Sequence, residues 1–81
     1  MNTSTVKVRK YQEFEIKDFG KKLKQYRLAD GRSTQVLATF AGISLGYWYQ
    51  LEKEEREWIS AEVLRGIESV LGVDFGIKFD V

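Results

Sequence analysis

The residues best placed to make ordered contacts with another molecule fall in one stretch, residues 33–52. Its polar side chains are hydroxyls and amides, among them Ser33, Thr34, Gln35, Ser44, Tyr47, Tyr49 and Gln50, and its single charged group is Glu52. Such groups donate and accept hydrogen bonds but do not transfer protons near neutral pH. The cations lie upstream. Residues 1–32 carry nine Lys and Arg against four acids, a net +5, whereas residues 53–81 carry four against seven, a net −3. A chain of net charge +1 can thus present a basic face to a polyanion. Catalytic chemistry finds no support. There is no His and no Cys, hence no imidazole base, no thiolate and no disulfide framework. No Gly-rich phosphate loop, metal-ligand spacing or nucleophile elbow occurs, and the carboxylates lie mainly in surface-type runs. We therefore expect no enzyme and no cofactor.

The stretch itself reads as two short helices around a tight turn. The first starts at a Ser33/Thr34 cap and turns Leu37, Ala38 and Ala41 inward. Gly42 ends it, because a residue without a Cβ takes the left-handed conformation most readily. Ser44 caps the second, whose inward positions are Trp48 and Leu51. Two helices joined by a Gly-containing turn, the second with few charges, form a helix-turn-helix candidate.

The flanking elements follow from periodicity. Val6 and Val8 alternate with Lys7 and Arg9, and Phe14 and Ile16 with Glu13, Glu15 and Lys17, so residues 1–17 read as an extended arm or strand. Asp18 is a cap for a helix to about Asp30, with Phe19, Leu23 and Tyr26 on one stripe, Lys21, Lys22, Lys24 and Gln25 facing away, and Gly31 as its stop. After Glu52, the run Lys53–Glu57 contains no stop signal, so the third helix can continue to about residue 54 or beyond, with Glu52–Arg56 and Lys53–Glu57 at i,i+4 spacing. Ser60 caps a last helix with Val63, Leu64, Ile67, Val70 and Leu71 on its apolar face, Ile59 and Leu64 as a hydrophobic staple, and Gly72 as its end. Gly66 within it implies another backbone close by. In residues 73–81, Ile77, Phe79 and Val81 alternate as a strand would and need a neighbour. The N-terminal strand is the evident one, in the same chain or in a second copy. On that reading Val6, Val8, Phe14, Ile16, Ile77, Phe79 and Val81 form a dimer interface.

At 81 residues, 43% hydrophobic, the chain suits one folded domain. No apolar run approaches the ~20 residues of a membrane span, and no signal-type segment follows Met1, so a soluble cytoplasmic protein is expected.

The pattern Phe19-Gly20-x-x-Leu23-x-x-x-Arg27-x-x-x-Gly31, then Leu37-Ala38-x-x-x-Gly42-Ile43-Ser44, Trp48-x-x-Leu51-Glu52 and Leu64-x-x-Ile67-x-x-x-Leu71, resembles the phage Cro/repressor-like (XRE-type) helix-turn-helix family over residues 18–72. The resemblance implies a mainly α, lambda-repressor-like bundle of four to five helices, here with short strand-like extensions at both ends. It implies a homodimer on double-stranded DNA, with a recognition helix at about 44–54 in the major groove. Carried over by position, Ser44 touches phosphate, Leu45, Gly46 and Gln50 face the bases, and Arg27 pairs with Glu52. The sequence departs from the family in several respects, one being a longer than usual spacing from Glu52 to Leu64. Thr34 stands where the family usually has Gln, with Gln35 one place later. Leu45 and Gly46 offer no hydrogen-bonding side chain. Glu54 replaces the usual Gly.

Base reading then falls to Gln50, whose amide matches an adenine edge, and to Tyr47 or Tyr49, whose hydroxyls also reach phosphates. Lys21, Arg27, Thr34, Gln35 and Ser44 complete the candidate DNA-binding set. Val36 and Phe40 are expected under a terminal strand or on a partner surface. The leading expectation is a sequence-specific DNA-binding regulator acting as a homodimer, without membrane association or a small-molecule effector. The alternative is a protein-interaction module, a regulator's partner or antitoxin-like component, that keeps the fold without the DNA activity.

Overall fold

The computed structural model describes residues 5–9 and 13–77. In chain order these form β1 (Thr5–Arg9), β2 (Glu13–Lys17), α1 (Phe19–Asp30), α2 (Thr34–Ala41), α3 (Leu45–Glu52), β3 (Trp58–Ser60) and α4 (Ala61–Leu71). The result is a small, mainly helical domain of four helices with a short three-stranded sheet. Among the described residues, no helix is long and apolar enough to cross a membrane.

The alternation in residues 5–17 does produce strands, in the sheet order β2-β1-β3. β1 and β2 are antiparallel, Val6 opposite Ile16 and Val8 opposite Phe14. β3 runs parallel to β1, with Lys7, Val8 and Arg9 opposite Trp58, Ile59 and Ser60. Period two places Val6, Val8, Ile16 and Ile59 on one face, and all four are buried in the core with the helices. This corrects two expectations. β1 has a neighbour on each side within its own chain and so offers no free edge to the C-terminal segment, of which residues 78–81 lie outside the described residues. Val6, Val8 and Ile16 are enclosed by their own fold and present no surface to a second copy. Residues 73–77 are not strand, and Phe79 and Val81 lie outside the described residues, as does the side chain of Phe14.

Capping and periodicity set the helices. Ser33, Ser44 and Ser60 each accept a hydrogen bond from the backbone N–H three residues on, those of Val36, Tyr47 and Val63, satisfying donors that a helix's first turn leaves unpaired. Gly42, at φ 83°, lets the Gly42 and Ile43 N–H groups bond back to Thr39 and Ala38 carbonyls, which stops α2 and reverses the chain. The inward positions Leu37, Ala38, Ala41, Trp48, Leu51, Leu64 and Ile67 are buried. Gly66 meets its expected neighbour, since a Cβ there would stand 2.6 Å from the Ala41 carbonyl oxygen. α2 and α4 therefore cross in backbone contact.

Three local expectations fail, each for a stated reason. Asp18 precedes α1 but adopts φ 54° and makes no side-chain cap. The α3 helix ends at Glu52 instead of continuing through the charged run, because Glu54 takes φ 57°. Its N–H and that of Glu55 then bond to the Leu51 and Gln50 carbonyls, the hydrogen-bond pattern of a left-handed helix stop. Neither i,i+4 pair of that run forms, since Glu52 is engaged by Arg27 and Arg56 by Gln50. Val36 and Phe40 are not covered. Phe40 is 72% exposed beside a shallow groove lined with Arg32, Ser69 and Val70.

The failures at Asp18 and Glu54 are linked. The Glu54 carboxylate accepts the Gly20 N–H at 3.0 Å, supplying from across the fold the cap that Asp18 does not provide. Gly20 permits this approach, because any Cβ there would collide with the Glu52 carbonyl. The start of α1 is thereby docked onto the end of α3. The chain after α4 is held as well. Glu68 accepts from the Phe75 N–H and from Arg65, and Arg65 also donates to the Ile77 carbonyl. Phe75 lies 4.9 Å from Phe19 and meets Tyr26 edge-on at 5.7 Å.

Candidate nucleic-acid interface

The α3 helix is fixed on its inner side by Trp48 and Leu51 and held at its end by Glu52. The Glu52 carboxylate is only 6% exposed and accepts three hydrogen bonds. Two come from Arg27, Nε at 2.5 Å and Nη2 at 3.0 Å, and one from the Trp48 indole at 2.7 Å. A bidentate guanidinium–carboxylate pair fixes orientation as well as distance. The Arg27 guanidinium is correspondingly held in its charged form, its pKa raised first by the hydrogen bond to Glu52 and further by that carboxylate's charge. The expected Arg27–Glu52 pair is present, and it joins α1 to α3. Its inclusion of the Trp48 N–H was not foreseen from sequence, although Trp48 and Glu52 stand one helical turn apart.

Opposite this anchored side, α3 turns outward. Gly46 and Tyr49 are exposed, and Leu45, Tyr47 and Gln50 are half-buried. Leu45, Gly46, Tyr49 and Gln50 follow the i, i+1, i+4, i+5 spacing of a single helix face. Around Gly46 the surface is open enough that an added Cβ would meet nothing. Ser44, whose hydroxyl accepts the Tyr47 N–H, lies at the N-terminal end of this surface. Thr34 joins it through α2: the Tyr49 hydroxyl lies 3.3 Å from Thr34 Oγ1, and Arg27 sits 5.8 Å from the Tyr49 ring centroid.

Two of the candidate residues stand apart. Gln35 is exposed on α2, where its amide bonds to Thr39. Lys21 is exposed on α1 near Lys22 and Lys24, and no hydrogen bond or ion pair joins it to α3 among the described residues. The structure therefore gathers Thr34, Ser44, Leu45, Gly46, Tyr47, Tyr49 and Gln50 into one region and leaves Gln35 and Lys21 at its periphery.

Arg56 was not among the candidates. It follows α3 by four residues, but the chain turns back at Glu54 and brings it beside Gln50, at the edge of that face. Its guanidinium stacks 4.2 Å above the Tyr47 ring centroid, and its Nε donates to Gln50 Oε1 at 2.8 Å. The sequence signal pointed elsewhere, because Arg56 sits in a charged run that suits a solvated helix. With this contact the outward face of α3 gains a fixed cation. The only ionised residue within α3, Glu52, is neutralised by Arg27. Away from the face, Arg32 binds Asp30 through two nitrogens and donates to the Val70 carbonyl, tying the α1–α2 turn to α4. The hydrogen bonds from Arg32 lower the Asp30 carboxyl to about 2.

No family model, no curated protein and no solved structure matches the chain.

Proposed function

We propose that the chain is a lambda-repressor-like helix-turn-helix module that binds double-stranded DNA in a sequence-dependent way, as a transcriptional regulator without catalytic activity. The observation that carries this reading is the α3 face. It combines an open, uncharged helix surface with a cation, and it is held rigidly by the Arg27–Glu52–Trp48 cluster. α3 enters the major groove with Leu45 and Gly46 closest to the bases, Gly46 allowing backbone approach and Leu45 meeting thymine methyl groups. Ser44, Thr34 and Tyr49 contact phosphate, and the cations of α1 add sequence-independent attraction. Two copies on a two-fold axis would place half-sites about one turn apart, ~34–36 Å. Because Val6, Val8 and Ile16 are internal, a pairing surface would not include them.

A titration of the protein against a random-sequence duplex pool at several salt concentrations tests the reading. Binding should weaken with salt by roughly 0.9 log per log for each phosphate neutralised, and selection from the pool should enrich a motif. Salt-insensitive or absent binding refutes it. One observation favours the second reading, a protein-interaction module: Phe40 and Val36 form an uncovered apolar pair on α2. Under that reading, replacing both with polar residues abolishes partner capture and leaves duplex binding absent.

A further inference from the structure

We propose that Arg56, held by Tyr47 and Gln50, is the residue through which this surface recognises guanine, and that Gln50 positions Arg56 and does not itself read adenine. This rests on the DNA-binding reading and specifies the base that the site takes.

The argument begins with hydrogen-bond inventory. A glutamine reads adenine by accepting from N6 and donating to N7, which needs both its carbonyl oxygen and its NH₂. Gln50 Oε1 is already engaged by Arg56 Nε at 2.8 Å. One of that oxygen's two lone pairs is therefore taken, and an adenine N6–H₂ can reach only the other. An arginine has five N–H donors in a rigid planar fork. The Nε–H of Arg56 is committed to Gln50, and among the described residues its two terminal nitrogens make no hydrogen bond or ion pair. Those terminal donors match the O6 and N7 acceptors on the major-groove edge of guanine, the commonest bidentate pairing of arginine with a base.

Placement supplies the second part. The Tyr47 ring, 4.2 Å from the guanidinium carbon, forms a platform beneath the fork. The loop carrying Arg56 is tied to α3 by the Glu55 N–H to Gln50 carbonyl bond at 2.8 Å. The fork is thus clamped from below by Tyr47, which packs against the core beside the outward face, at its Nε edge by Gln50, and through the backbone. A solvated surface arginine loses its rotamer freedom on binding, whereas this one is already ordered, which favours a directional contact over diffuse attraction to phosphate. A lysine could deliver the charge from the same position but not the paired geometry.

The test separates base reading from charge. Sites are selected from a random duplex library with the wild-type protein and with R56K, R56A, Q50A, Y47F and Y47L, and binding to the best site and its guanine-substituted variants is titrated against salt. The wild type should require guanine at one position per half-site, by about tenfold or more. R56K should bind the pool within about threefold of wild type and lose that requirement. R56A should also lose it, at a salt slope close to that of the wild type. Q50A and Y47L should weaken the preference at an unchanged salt slope, and Y47F, which keeps the ring, should retain it. A readout independent of DNA is the Arg56 Hε resonance at neutral pH, expected to be slowed in exchange in the wild type and lost in Q50A.

If the wild type binds DNA but R56K keeps the guanine preference, or the R56A loss is uniform across sequences, the proposal falls and DNA binding stands. A wild type that binds no duplex overturns both. An Arg56 Hε exchanging as fast as free arginine overturns the positioning by Gln50.

Discussion

Glu54 offers a sharp test of how α1 and α3 are held together. It adopts the left-handed conformation at φ 57°, which disfavours a side chain by roughly 1–2 kcal/mol. Its carboxylate also caps α1 through the Gly20 N–H, a contribution of about 1 kcal/mol for the bond and a few tenths more for a negative charge at a helix N-terminus. The two effects oppose each other, and two substitutions separate them. Glu54→Ala removes the cap and keeps the strained backbone, so it should destabilise by about 1–2 kcal/mol, with a melting shift of roughly 4–8 °C per kcal/mol in a domain of this size. Glu54→Gly removes the cap but also the strain, less roughly 0.5–1 kcal/mol for the greater freedom of glycine in the unfolded chain. It should therefore lie within about 1 kcal/mol of wild type and above the alanine variant. Urea unfolding followed by tryptophan fluorescence, with Trp48 in the core, measures both. An alanine variant as stable as wild type, or a glycine variant below alanine, would refute the reasoning.

Three further outcomes are expected. Glu52→Ala leaves Arg27 charged, largely enclosed and unpaired, and strips the Trp48 indole of its acceptor, so chemical denaturation should show a loss of about 3–5 kcal/mol. Gly46→Ala fits without any collision and should stabilise α3 by up to about 1 kcal/mol, while weakening duplex binding if backbone at Gly46 meets the bases; a gain in both would show that this end of α3 does not touch DNA. On acidification, the Asp30–Arg32 link contributes stability above the unfolded carboxyl's value of 3.8, and that contribution disappears as pH falls through the folded value of about 2. Asp30→Asn should therefore flatten the stability profile between those two values, as read by circular dichroism at stepped pH.

Local rules in the sequence were sufficient for most of the helical scaffold. Serine caps at 33, 44 and 60, the glycine stop at 42 and the inward stripes all follow from groups a few residues apart, and the structure places them so. What escaped depends on contacts between distant segments. Trp58–Ser60 is too short a run to show a period, and only β1 beside it makes it a strand. Glu54 lay in the charged run after α3, and its partner, the Gly20 N–H, is thirty-four residues away. The same limit hid the Arg56 contact, because continuing α3 through the charged run would have carried that side chain around the helix instead of back onto Tyr47. Val36 and Phe40 were expected under a terminal strand or on a partner surface; the sheet that forms uses β3 and leaves both exposed, which fits only the second alternative.

The parallel pairing of β1 with β3 also bears on how the molecule is assembled in time. Every turn of α1 to α4, and the β1–β2 hairpin, can form from neighbours in the chain within microseconds. Lys7 opposite Trp58 cannot, because that pairing must close a loop of about fifty residues that includes α1, α2 and α3. Folding should therefore proceed in two unequal parts, a rapid local phase and a slower closure in which the first strand locks the start of α4 in place. The stretch that carries α3 would be the inside of that loop, shaped early and fastened last.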